Sequence, residues 1–232
     1  FYRSTYPSGI RMEKVEPYLN GFWIARGGQV EGKLSFLRSI MSQYDVNEKP
    51  ILLAETGLPL SGTGNTNWKD WTVQQKETYE KKKADYLTFL YTRNIAVGID
   101  ITTWYHFEEY GWYKSGLLDT EGNELPAYDA YAGVTDALSG AEYVRRLPPA
   151  NGLLGFEFKK PDNSLLWVLF PEDGEEKTVN LAPNHTVYNH YYEEATGGLE
   201  GDYSFFRPIY INFIGEPPQS LGYLNYLPMI NR

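Results

Sequence analysis

Residues 50–60 read P-I-L-L-A-E-T-G-L-P-L, an aliphatic run closed by a single carboxylate, Glu55, with Thr56 and Gly57 directly after it. Upstream, Val30, Leu34, Leu37, Ile40, Met41 and Tyr44 recur at the spacing of a helical stripe. Downstream, a loop rich in Gly, Asn and Ser leads to a second helical pattern from Thr72 to about Asn94. Thr72 followed by Gln75 has the form of a capping box. The stretch I-A-V-G-I-D-I-T-T-W-Y-H-F then reads as a second buried strand, and Ala127–Leu138 as a third helix. This alternation of helix and strand constrains the chain more than any other feature. It implies parallel strands joined by right-handed crossovers. Strands apolar at successive positions imply cover on both faces, helices on one side and a packed interior on the other.

The pattern changes near Ser139-Gly140. L-L-G-F-E-F-K-K, L-L-W-V-L-F, K-T-V-N-L, H-T-V-Y-N-H-Y-Y and F-F-R-P-I-Y-I-N-F follow, short segments rich in aromatic and β-branched residues and separated by turn signals such as P-D-N. They predict a small antiparallel sandwich. The expected organisation is therefore α/β plus all-β: residues 1–139, a sandwich over 140–215, and an irregular tail over 216–232. No internal repeat is visible.

Composition narrows the partners. A formal charge of −9 and a pI near 4.9 argue against nucleic acid, which needs clustered Lys and Arg. The one basic run, Lys81-Lys82-Lys83, lies among acids and reads as a solvated helix face. With no Cys and only three separated His, no thiolate or His-rich metal site is expected, and no cofactor. No run approaches the roughly 18 apolar residues that span a bilayer. Asn184-His185-Thr186 matches the glycosylation triplet, a pattern common by chance. Aromatic residues make up 16%, which serves cores but also supplies stacking platforms for flat ligand faces.

In barrels of alternating strands and helices, chemistry sits at the carboxyl ends of the strands, where loops converge. Both predicted strands end in functional residue types: Glu55 after the first, and Trp104, His106 and Glu108 after the second. The succession P-I-L-L-A-E-T-G, polar loop, helix, G-I-D-I-T-T-W-Y-H-F and S-G-L-L-D-T-E-G-N-E-L-P-A-Y-D-A-Y resembles strands seven and eight of the clan A retaining glycoside hydrolases. That resemblance covers about residues 25 to 138. It implies the carboxyl-terminal part of a (β/α)8 TIM barrel, followed by an accessory β-sandwich. It further implies Glu55 as nucleophile, Trp104 as the floor of the sugar subsite, and Tyr6 or Tyr2 as a hydrogen-bond donor to Glu55. Trp68, Trp71 and Trp112 would line neighbouring subsites, and His106, Glu108 and Glu109 would bond sugar hydroxyls. Plain packing or solvent exposure is the competing reading for each of these.

A retaining glycosidase needs a second carboxyl group about 5 Å from the first. In the resembled clan it is a Glu after an Asn at the end of strand four, and no strand end here carries that pair. Asn47-Glu48 falls at the opposite end of its strand. A whole barrel takes about 250 residues, and about 50 precede this strand. The opening F-Y-R-S-T-Y-P-S-G also reads as the interior of something longer. The expectation is an enzyme on a carbohydrate substrate whose acid/base lies on an amino-terminal remainder, in the same gene product or a separate chain. The alternatives are a non-catalytic carbohydrate-binding or structural surface protein, or an unrelated α/β domain. Polymeric substrates would fit an extracellular or cell-surface location; a cytoplasmic one stays open.

Overall fold

A computed structural model describes residues 29–58, 68–109, 114–148, 152–172, 174–181, 184–197 and 201–215. Tyr2, Tyr6, Trp112 and the predicted tail lie outside the described residues. The first part runs α1 (Gln29–Gln43), β1 (Leu52–Thr56), a 3-10 turn (Trp68–Asp70), α2 (Val73–Ala96), β2 (Ile101–Trp104) and α3 (Pro126–Leu138). β1 and β2 pair in parallel, with Leu52 opposite Ile101 and Thr56 opposite Trp104.

The capping box that begins α2 is present. Gln75 N donates to Thr72 Oγ1 at 3.2 Å, and Thr72 N donates to Gln75 Oε1 at 2.8 Å. The helix outruns the expected boundary, however. Ile95 and Ala96 remain helical, Val97 N–H still donates to Arg93 O, and Gly98 turns the chain at φ 76°. That positive φ suits glycine. The aliphatic start of the expected second strand is thus the end of α2.

Of the two covers expected for these strands, the described residues supply one. Leu53 packs against the helical core, but Leu52 and Ile101, facing each other across the pair, are 53% and 51% exposed. Among the described residues, helices cover one face and no element covers the other. On α1, Val30 and Leu34 are buried, whereas Phe36, Leu37 and Ile40 are exposed.

The second part consists of β3 (Glu142–Arg146), β4 (Leu153–Lys159), β5 (Leu165–Pro171), β6 (Lys177–Leu181), β7 (His185–Tyr188), β8 (Glu194–Gly197), β9 (Gly201–Phe205) and β10 (Ile209–Phe213). Six strands form an antiparallel sheet in the order β3-β4-β5-β10-β7-β8, and β6 and β9 form a separate two-stranded ribbon. Alternation along β4 and β5 splits their side chains between two cores. Trp167 and Leu169 pack with Val179, Leu181 and Ile211 towards the ribbon. Phe156, Phe158, Val168 and Phe170 point the other way, into the core of α2 and α3, where the Phe89 and Phe170 rings lie 5.4 Å apart. The regions before and after residue 139 therefore share an apolar core.

Polar bonds and one tight backbone approach seal this junction. Arg207 Nε donates to Asp85 Oδ1 at 2.8 Å, and Arg207 Nη2 donates to Lys81 O at 3.0 Å. On α3, a Cβ at Gly133 would stand 2.5 Å from the Tyr191 backbone, so only glycine permits that approach.

Candidate active site

Glu55 is the penultimate residue of β1, exposed to solvent and next to buried Thr56. Tyr105 N donates to Thr56 O at 2.6 Å, which prolongs the β1–β2 pairing past the strand ends. Gly57 continues along the same wall, where a Cβ would touch Tyr105 O at 3.4 Å and Ser115 Cβ at 3.7 Å. A cavity of about 550 Å³ lined by Arg38, Met41, Pro50, Ile51, Gly98 and Asp100 lies at the amino end of β1. Asn47 and Glu48 line it too. It is at the far end of the strand from Glu55, and barrel chemistry belongs at the carboxyl end.

The loop after β2 is gripped from below. The carbonyls of three consecutive residues are each held by a side chain. Lys114 O accepts from Tyr79 Oη at 3.1 Å and Lys83 Nζ at 3.2 Å. Ser115 O accepts from Trp104 Nε1 at 2.6 Å, and Gly116 O accepts from Lys83 Nζ at 2.8 Å. Tyr79 Oη also donates to Leu58 O at 2.6 Å, tying the loop after β1 to the same point. Burial pushes the Tyr79 phenol well above its ordinary value, so it stays a donor.

Lys83 corrects the expectation of a solvated Lys81-Lys83 face, because its side chain is fully buried. A buried ammonium needs counter-charge and acceptors. Lys83 Nζ has Glu80 Oε2 at 2.7 Å and Glu109 Oε1 at 3.5 Å, and Lys114 Nζ lies 2.8 Å from Glu109 Oε2. Two cations and two anions balance. Burial pushes the Glu80 carboxyl up, and Lys83 opposes that shift.

The expected site residues divide. Trp104 is only 8% exposed, set beside Tyr86 with its ring N–H donated to Ser115 O. This corrects the expectation of an open stacking floor: by alternation from Thr102, its side chain turns to the helix face. Trp68 is half-buried in a cluster with Trp71 and Tyr79, and the Lys76 and Lys114 ammonium groups lie 5.6 and 5.5 Å from its ring centre. His106 is half-buried at φ 75°, beside Tyr105. Glu108 is exposed and pairs through its backbone with Leu118. Glu109 is buried and occupied by the two lysines. Phe107, not singled out from the sequence, is 61% exposed, while its carbonyl accepts from Leu117 N and Leu118 N. Tyr79 and Lys83 were also missed, although their four-residue spacing on α2 marks one helix face. Among the described residues no group of three or more His, Cys, Asp or Glu could hold a metal ion, and no helix is long and apolar enough to cross a membrane.

No protein-family model matches the chain, and no curated protein matches it in sequence. Solved structures do match. A family 39 glycoside hydrolase from the gut symbiont Bacteroides cellulosilyticus WH2 superposes with a TM-score of 0.59 at 18% identity, over 77% of this chain and 37% of that one. The catalytic domain of the GH30 xylanase C from Talaromyces cellulolyticus gives 0.47 at 15% identity, over 72% and 41%. SrfJ from Salmonella typhimurium gives 0.49 at 12%, over 82% and 39%. At these identities the likeness is one of fold. The chain folds like part of the family 39 structure and spans 37% of its length.

Proposed function

We propose that this chain is part of a retaining glycoside hydrolase that cleaves β-glycosidic bonds by double displacement, with Glu55 as the nucleophile. The observation that carries this reading is a solvent-open carboxylate at the carboxyl end of a parallel strand, within a fold that matches part of a glycoside hydrolase. Glu55 attacks the anomeric carbon as the leaving oxygen takes a proton from a second carboxyl group. Water then releases the sugar from the covalent ester, with the second group acting as base. That second group comes from the amino-terminal remainder of the barrel, on the same gene product or another chain. The exposed Leu52 and Ile101 form the face against which the remaining interior would pack. The substrate is a carbohydrate, met outside the cell or at its surface.

Hydrolysis of aryl β-glycosides by the complete barrel tests this. Glu55→Gln is expected to lower turnover by roughly 10³-fold or more, about 4 kcal/mol of barrier, with sugar binding kept. Turnover retained by Glu55→Gln refutes the assignment. Sugar binding with no turnover in either form identifies a non-catalytic carbohydrate-binding protein instead.

A further inference from the structure

The geometry points to Lys83 as a positioning residue that fixes two limbs after β2, residues 105–109 and 114–118, as a rigid wall beside Glu55. The inference rests on the glycosidase reading for its functional meaning, and on the clamp itself for its geometry. Lys83 reaches two of the three clamped carbonyls, at Lys114 and Gly116. It also faces both acids of the buried cluster, one from its own helix and one from the loop. The two limbs pair with each other around this point. Glu109 N donates to Leu118 O at 2.8 Å, and Leu117 N and Leu118 N donate to Phe107 O. A Cβ at Gly116 would collide with the Glu109 backbone, so the two limbs are pressed together where Lys83 enters.

The wall connects to the reacting end of β1 in three steps. Lys83 holds residues 114 and 116; Ser115 Oγ, between them, donates to Tyr105 O at 2.9 Å; and Tyr105 N donates to Thr56 O beside Glu55. Limbs held this way enter substrate binding already ordered, so no binding energy goes into fixing them. An ammonium suits the task because its three donors can serve carbonyls and carboxylates lying in different directions.

The test combines a motion readout with a kinetic one. Lys83→Met keeps the length of the side chain and removes the donors. In hydrogen exchange of the full chain, it is expected to speed the amides of Glu109, Leu117 and Leu118 about 100-fold, with those of β4 and β5 unchanged. In the complete barrel, KM for an aryl β-glycoside is expected to rise about tenfold and kcat to stay within about threefold. If Lys83→Met does not fold, Glu109→Gln removes the loop-side anion from α2's partner and is expected to give the same pattern, smaller. Unchanged loop exchange, or acceleration shared by the whole sheet, overturns the proposal. Selective loop acceleration with no glycoside turnover in the unaltered protein leaves the clamp standing and rejects the glycosidase reading.

Discussion

The β1–β2 pair and the six-stranded sheet are built from similar aliphatic residues but meet opposite surroundings. β4 is buried along nearly its whole length, between the helices on one face and the β6–β9 ribbon on the other. Among the described residues β1 has helices on one face and no cover on the other, so Leu52 stands exposed although its sequence context is as apolar as that of Leu166. An apolar run thus records the need for two covers without supplying them. Among the described residues the six-stranded sheet has both of its covers, whereas the β1–β2 pair has one.

That contrast can be broken by truncation. Trp167 is fully buried and donates to Glu157 Oε2 at 2.7 Å, so Trp167→Ala is expected to destabilise the chain by about 3–5 kcal/mol in denaturant unfolding. Leu52→Ala, on the open face, is expected to change stability by less than about 0.5 kcal/mol. A comparable loss at both positions would show that the open face is covered in solution.

The junction between the two regions sharpens the comparison through pH. Burial pushes the Asp85 carboxyl from 3.8 up to about 6, with the Arg207 guanidinium opposing it only in part. The folded state therefore holds this proton more tightly than the unfolded state, and the stability it brings at low pH is lost as pH rises from about 4 to about 6. His190 does the reverse. Burial, aided by Arg207, lowers it from 6.5 to about 3, so its contribution is complete above 6.5 and lost as pH falls. Between pH 4 and 6 the two slopes oppose each other. Asp85→Asn is expected to leave stability rising with pH in that window, and His190→Gln to leave it falling, each by at most about 1.4 kcal/mol per pH unit. Thermal unfolding at a series of pH values reads both signs. A smaller effect belongs to the helix start, where Thr72→Ala is expected to remove about 1 kcal/mol.

Local signals were the ones the sequence made legible. The Thr72–Gln75 box and the aliphatic runs of β1, β4 and β5 each depend on neighbours within a few residues. Long-range context decided the rest. Lys83 reads as solvated because Glu109 lies 26 residues away, and only folding brings the two together. Trp104 was expected to face the mouth, yet its alternation phase turns it to α2. The edge strands β3 and β8, E-Y-V-R-R and E-A-T-G, lack the apolar alternation that announced their neighbours, since an edge needs less cover. Of the candidate site, the position of Glu55 at the strand exit was readable; the clamp beneath the neighbouring loop was not.

The direct test of the whole account is covalent trapping. The complete barrel is incubated with a fluorosugar aryl β-glycoside, which slows release of the glycosyl ester, and is then digested and weighed by mass spectrometry. The account predicts one added glycosyl group, carried on the peptide containing Glu55. A label on a different carboxylate, or turnover of the unmodified aryl β-glycoside with no trapped ester, would contradict it.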